Sequence, residues 1–181
     1  IREYGGSLRY RWRPDGRLRT IDLEGQSYLV TNLDNEVETA VWTAPTITLK
    51  NQPGDSLTLG FISEREQLFD PFEIQQGIVI PEGDYSFNRV SATAASSSGR
   101  KLGISSTVST GEFYDGTRFE YGADVEWRAS PHLLLAAGME FNEVELPDGD
   151  FDANVAYGKL NITFSPRLSW NNIVQYDNIS D

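Results

Sequence analysis

Two carboxylates that could carry out acid–base chemistry stand two positions apart, at Asp124 and Glu126. In an extended strand alternate side chains share a face, and two residues span about 7 Å. That spacing falls within the roughly 6.5–9.5 Å between the two acids of inverting glycosidases, which makes hydrolysis one candidate activity. Arg118 and Glu120 share the same face, however, and the whole pattern favours charged residues lining a water-filled interior over a catalytic pair.

Other catalytic arrangements have little support. The chain has one histidine, His132, which follows Pro131 in a predicted tight turn, a poor position for the base of a serine triad. It has no cysteine, which excludes disulfides, thiolate metal sites and cysteine nucleophiles. No glycine-rich phosphate loop or dinucleotide fingerprint is present. The sequence therefore favours a protein that is not an enzyme.

An acidic segment offers a candidate metal site. Asp148, Asp150 and Asp152 present three hard oxygen ligands at alternating positions, which calcium could accept. The segment lacks the spacing and the distal glutamate of an EF-hand. A solvated acidic loop is therefore the favoured interpretation, and no cofactor is expected.

Aromatic residues in the predicted loops are candidate ligand contacts. Phe113, Tyr114 and Phe151 could stack on a sugar ring, although such residues more often pack a loop or belong to an aromatic girdle. They are kept as possible contacts for a small solute or glycan.

The elements that position these residues are amphipathic segments with a period of two between Thr117 and Tyr176. From Arg118 to Trp127 the odd positions are apolar and the even positions are mostly charged. Strands of about ten residues with aromatic ends and a polar opposite face are the signature of a transmembrane β-barrel. The predicted lipid-facing residues are Phe119, Tyr121, Val125, Trp127, Leu133, Leu135, Met139, Leu160, Ile162 and Trp170. The predicted lumen-facing residues are Arg118, Glu120, Asp124, Glu126, Glu140, Lys159 and Asn161.

Composition agrees with this class. The 181 residues can form a single domain, and no run approaches the 18 apolar residues of a transmembrane helix. A net charge of −12 argues against nucleic acid as a partner, since phosphate binding needs a basic surface. The expected partner is the lipid bilayer, and the expected location is the bacterial outer membrane.

The charges divide between two kinds of connection. Basic residues stand at or near short connections, namely Arg11, Arg13, Arg17, Lys50, Arg100, Lys101, Arg128 and Arg167. Acids stand in two longer segments predicted to be loops, 64–83 and 143–152. The two ends of the protein are therefore expected to meet different environments.

The order of strands and connections predicts an antiparallel meander of about ten strands, with next-neighbour pairing and essentially no helix. Short and long connections alternate, which is the rhythm of an up-and-down barrel. Pro45, in a third strand of about Val37 to Leu49, predicts an edge or a bulge. Ser130-Pro131-His132-Leu133 recurs as Ser165-Pro166-Arg167-Leu168, a repeat at the level of the hairpin.

The meander is also expected to be a partial barrel. If the short connections share the periplasmic end, the first and last strands both reach the external rim, whereas the ends of a single-chain bacterial barrel are expected on the periplasmic side. We therefore expect an open sheet here, a polar segment after Tyr176, and about twelve or more strands in an intact protein.

Four motifs carry a resemblance to a known family: Leu68–Ile74 (LFDPFEI), Ile80–Tyr85 (IPEGDY), Gly111–Arg118 (GEFYDGTR) and Trp127–Leu133 (WRASPHL). In these the chain resembles the C-terminal part of a bacterial family catalogued as domain of unknown function 5916. The resemblance covers nearly all of the chain. It implies an outer-membrane barrel, which in that family typically follows a carbohydrate-binding-like β-sandwich, and it assigns no catalytic residue.

Three functions are compatible with these patterns. The favoured one is passage or surface binding of a small solute, with carbohydrate as a candidate class. The second is a membrane anchor for an N-terminal sugar-binding domain. The third is an outer-membrane hydrolase with carboxylates at the loop end.

Overall fold

The structure is a computed structural model that describes residues 1–178, and it folds them into twelve β-strands. None of the described residues lies in a helix long and apolar enough to cross a membrane. The strands are β1 (Arg2–Trp12), β2 (Leu18–Thr31), β3 (Val37–Asn51), β4 (Ser56–Leu68), β5 (Phe72–Gln75), β6 (Ile78–Ile80), β7 (Gly83–Ala95), β8 (Leu102–Phe113), β9 (Gly116–Ser130), β10 (Leu133–Leu146), β11 (Gly149–Ser165) and β12 (Leu168–Asp177).

Ten of the strands form one antiparallel sheet in the order β1-β2-β3-β4-β7-β8-β9-β10-β11-β12. Each strand pairs with its neighbours along the sheet, and within residues 1–178 the edges β1 and β12 do not pair with each other. The predicted meander of ten strands and the predicted open sheet are thus confirmed. Of the polar segment expected after Tyr176, Asp177 closes β12, and residues 179–181 lie outside the described part of the chain.

Several strands are longer than the sequence suggested. The predicted acidic loop at 143–152 is wrong, because β10 and β11 continue through it and only Pro147 and Asp148 connect them. The ladder persists because Val144 and Leu146, between the acids, are buried on the opposite face. The expected alternation of short and long connections is likewise wrong between β8 and β9. A long connection was expected there, but the turn consists of only Tyr114 and Asp115.

The segment predicted as one irregular loop, 64–83, is mostly ordered as strand. β4 continues to Leu68, β7 begins at Gly83, and between them β5 and β6 form a separate two-stranded hairpin. This β5–β6 hairpin packs back onto the large sheet. In β6 buried and exposed side chains alternate over only three residues, with Ile78 and Ile80 buried and Val79 exposed.

Local features of the sequence account for two details of the sheet. The register shifts between Thr43 and Thr46, on either side of Pro45, so the predicted bulge is confirmed in an interior strand. The two Ser-Pro turns repeat the same bond: the backbone N–H of His132 donates to Ser130 Oγ at 3.1 Å, and that of Arg167 donates to Ser165 Oγ at 3.3 Å.

Strand register gives the sheet two unlike faces. All ten residues predicted to face lipid share one face with Trp12, Leu23, Ile47 and Leu59, which we call the apolar face. All seven residues predicted to face the lumen share the other, which we call the polar face. Other members of the polar face are Arg9, Asp22, Thr48, Glu64, Arg89, Ser91, Thr93, Ser105, Thr107 and Ser109.

The two ends of the sheet also differ. The basic end holds the β1–β2, β3–β4, β7–β8, β9–β10 and β11–β12 connections, residues 13–17, 52–55, 96–101, 131–132 and 166–167. The hairpin end holds the remaining connections, the β5–β6 hairpin, the start of β1 and the end of β12. The buried apolar core of the described residues lies at the hairpin end.

Candidate functional site

A line of charged side chains crosses the polar face from β4 to β10; we call Glu64, Arg89, Glu120, Arg118 and Asn142 the charged belt. Arg89, on β7, lies at its centre. Its guanidinium donates to Glu64 on β4 at 3.3 Å and to Glu120 on β9 at 3.5 Å. The contact with Glu120 passes over β8, where the facing positions are glycine and serine. Side chains that reach across an intervening strand indicate that the polar face is the concave one.

The belt continues along β9 and β10. Arg118 forms an ion pair with Glu120, two residues along the same face, and donates to Asn142 Oδ1 at 2.8 Å. Asn142 donates in turn to Glu140 Oε1 at 3.2 Å. The Arg89 side chain is only 16% exposed, so its charge is held in place between two carboxylates.

An open cavity of about 370 Å³ lies beside the belt on the polar face. Its wall includes Glu120, Asp124, Glu140 and Tyr157. The Tyr157 hydroxyl donates to Asp124 Oδ1 at 2.6 Å, spanning β10. The intervening residue is Gly138, and a Cβ there would lie 2.4 Å from both Asp124 Oδ1 and the Tyr157 ring. The missing side chain is therefore what lets the tyrosine cross the strand.

Beyond the belt, towards the hairpin end, the polar face becomes apolar. Its core is a set we call the hairpin cluster: Ile78, Ile80, Tyr85, Phe87, Val144 and Leu146, each at most 9% exposed. Two of these residues come from β6, two from β7 and two from β10. The β5–β6 hairpin therefore folds inward over the concave face and is fixed there by burial of apolar surface.

Tyr114 joins the hairpin cluster to the sheet. Its ring packs edge-on against Tyr85 at 5.0 Å and Phe113 at 4.8 Å between centroids. Its hydroxyl donates to Glu66 at 2.9 Å, and burial together with this bond raises the pKa of the Tyr114 phenol. Its backbone takes φ 48°, a left-handed conformation that is uncommon for a bulky residue and is held here by these contacts.

The aromatic residues predicted as ligand contacts all lie at this cluster. Phe113 packs on Phe87 at 5.9 Å and carries the Arg118 guanidinium 5.4 Å from its ring centroid. Phe151 packs against the same buried residues. The three rings thus contribute to packing beneath the hairpin, and sugar stacking by them stays a prediction.

The candidate hydrolytic pair is engaged in other contacts. Asp124 accepts hydrogen bonds from Tyr157 and from Ser105, the latter at 3.3 Å. Glu126 forms an ion pair with Arg128 at 2.7 Å. Lys159, Glu126 and Asp124 line a second stretch of the polar face near the basic end. The arrangement is that of a charged wall.

The three aspartates proposed as calcium ligands are not brought together. Asp148 lies in the β10–β11 turn, while Asp150 and Asp152 lie in β11 opposite Glu145 and Glu143. Within residues 1–178 no group of three or more histidine, cysteine, aspartate or glutamate side chains is arranged to hold a metal ion. The extended backbone explains this, because it spreads the carboxylates along the ladder.

Sequence reasoning missed the centre of the belt. Arg89 and Glu64 were not among the candidate residues, and neither were Asn142 and Tyr157. Arg89 could have been found as the one charged residue at an inward position of a strand whose other inward positions are small or aromatic. Its pairing with Glu64 and Glu120 could not have been found, because these residues lie 25 and 31 positions away in the chain.

OmpT, an outer membrane protein of Vibrio cholerae, solved in its in-vitro folded trimer form, matches with a TM-score of 0.62 at 14% sequence identity. The chain has the fold of an outer-membrane β-barrel. The match covers 94% of this chain and 53% of the OmpT chain, so the chain spans about half the length of that protein. No family model and no curated protein matches the sequence.

Proposed function

We propose that this chain forms part of the wall of a solute-conducting β-barrel in the bacterial outer membrane, with the polar face lining the passage. The fold is the one that bacterial proteins use to span that membrane with strands. The apolar face supports the proposal, because Trp127, Trp170 and Val174 are 49%, 50% and 66% exposed there. An apolar surface of this extent is unusual in a soluble monomer and natural against lipid.

The observation that carries the proposal is the composition of the concave face. Charged and hydroxyl side chains occupy it from β1 to β11, and among residues 1–178 the sheet buries no apolar core there except at the hairpin end. A wet interior of this kind is typical of barrels that let water and solutes through.

The hairpin sets the proposed narrow point. It folds inward over β7 and β10, immediately next to the charged belt. A solute on the polar face would pass the belt and the edge of the hairpin together. The passage is thus expected to admit small polar solutes, sugars among them, and to slow larger ones.

Liposome swelling tests the proposal. The intact protein is reconstituted into liposomes, which are placed in isotonic solutions of a monosaccharide, a disaccharide and a trisaccharide. We expect swelling that is fastest with the monosaccharide and falls steeply with size. Swelling no faster than that of protein-free liposomes, with folding verified by circular dichroism, would contradict passage and favour a membrane anchor. Binding on a glycan array without any swelling would favour surface recognition.

A further inference from the structure

The basic end carries exposed cations that the protein itself does not neutralise. Arg13, Arg17, Lys101 and Arg167 lie in its connections, and none of their side chains forms a hydrogen bond or ion pair with another of residues 1–178. The same connections hold two acids, Asp15 and Asp55, and Asp55 is already bound to Arg100, so cations outnumber acids there. The end therefore presents net positive charge to its surroundings, although the chain as a whole carries −12.

Tryptophans lie next to these cations on the apolar face. Trp12 directly precedes Arg13, Trp127 pairs in register with Leu102, the residue after Lys101, and Trp170 follows Arg167 by three positions. They are 56%, 49% and 50% exposed. Tryptophan is enriched at the level of lipid headgroups, where an apolar ring and a polar N–H are both accommodated. The cations thus lie just beyond the expected edge of the hydrocarbon layer, at the level of the lipid headgroups.

The opposite end has the reverse composition. The connections of the hairpin end contain Asp34, Glu36, Asp70, Glu82, Asp115 and Asp148, and they contain no lysine or arginine. An even spread of charge would suit any polar surroundings. A protein with opposite charge at its two ends is instead matched to two unlike surfaces.

We propose that the basic end binds the phosphate groups of anionic phospholipids in the leaflet that it faces. Each unpaired cation is attracted electrostatically to an anionic lipid surface, and this attraction falls off within a Debye length. Arginine and lysine also extend their apolar stems along a membrane-facing surface and place the charge among the headgroups. The site recognises lipid whether or not the barrel conducts, so it is independent of the proposed passage.

Tryptophan quenching by brominated lipids tests the proposal, since three of the four tryptophans lie at this end. The intact protein is reconstituted in phosphatidylcholine mixed with either brominated phosphatidylglycerol or brominated phosphatidylcholine. We expect quenching to show a several-fold preference for phosphatidylglycerol. In the variant Lys101→Gln/Arg167→Gln the preference should fall to near-equal quenching by the two lipids, and in wild type it should fall at high salt.

A matched variant removes two cations from the other half of the molecule. Arg2→Gln/Arg65→Gln lowers the net charge equally, near the hairpin end. We expect it to keep the wild-type lipid preference. Equal quenching by the two brominated lipids in wild type would overturn the proposal, as would equal losses in the two variants. A stronger preference for lipopolysaccharide phosphates than for phosphatidylglycerol would also overturn it.

Discussion

The hairpin end and the basic end are built from the same ten strands, yet different interactions hold them. At the hairpin end the concave face is apolar: Phe87 is 2% exposed, Val144 is 3% exposed, and the inward hairpin packs on both. At the basic end hydrogen bonds hold the connections. Serine hydroxyls accept them within the two Ser-Pro turns, and the Asp55 carboxylate joins the β3–β4 connection to the β7–β8 connection. The charged belt marks the level at which one arrangement gives way to the other.

This difference indicates how an open, water-lined sheet can carry an inward loop. A polar concave face offers such a loop little apolar surface to bury. Towards the hairpin end, the inward positions on β7, β9 and β10 change from charged or polar residues to apolar or small ones, and this change supplies the apolar surface. The step from Asn142 to Val144 and Leu146 on β10 is an example. Stability at the hairpin end is therefore expected to respond to apolar substitutions, and stability at the basic end to charge and pH.

The largest effect is expected from Phe87→Ala. This change empties the middle of the hairpin cluster and should cost about 3–5 kcal/mol of unfolding free energy, as for other buried phenylalanines. Urea titration of the protein folded into vesicles measures the cost, and hydrogen exchange should show faster exchange across residues 72–80.

The matched control is Phe164→Ala, on the apolar face near the basic end, where the ring is 61% exposed. It should cost much less and leave exchange at 72–80 unchanged. Equal costs for the two substitutions would show that the hairpin cluster is not the more strongly packed region.

An intermediate effect is expected between the two ends, at Gly138. A Cβ there would lie 2.4 Å from the Tyr157 ring and from Asp124, so Gly138→Ala should break their hydrogen bond and cost about 1–3 kcal/mol. The control is Gly158→Ala on the next strand, where no atom lies within 4 Å of the added Cβ. Equilibrium unfolding of both variants in urea would decide, and a Gly138 variant as stable as the Gly158 variant would contradict the proposed packing.

The smallest effect is expected at the basic end, from Asp55→Asn. The bond from Arg100, with those from Asn51 and the Ser97 N–H, holds the pKa of the Asp55 carboxyl well below its usual range. A lowered folded-state pKa means that this stabilisation is fully present above the unfolded pKa of about 3.9 and is lost as pH falls through the folded value.

The difference in urea midpoint between wild type and Asp55→Asn should therefore be constant from pH 7 to about pH 5 and shrink below about pH 4. The control variant is Asp15→Asn, which removes a carboxylate from another connection of the basic end where it accepts no hydrogen bond from another of residues 1–178. A wild-type advantage that stayed the same down to pH 2 would contradict the role of the Asp55 charge.

The sequence predicted the sheet well because one face of each strand has a uniform environment. The alternation of Phe119 to Trp127 predicted strand, face and register together. It failed at 143–152, where five acids and a proline resemble a loop while Val144 and Leu146 carry the signal of burial. It also failed at the hairpin, because the partners of Ile78 and Ile80 on β10 are more than sixty positions away in the chain. The charged belt was half predicted for the same reason: Arg118 and Glu120 share a strand, whereas Arg89 reaches them only through the fold.

Single-channel conductance tests the central claim, that the inward hairpin narrows a passage lined by the polar face. The intact protein is compared in planar bilayers with a variant in which residues 72–80 are replaced by a short glycine-serine linker. A control variant carries the same linker in place of residues 33–35, in the β2–β3 connection of the same end. We predict a clear rise in conductance for the hairpin variant and none for the control. An unchanged conductance in the folded hairpin variant would contradict the account.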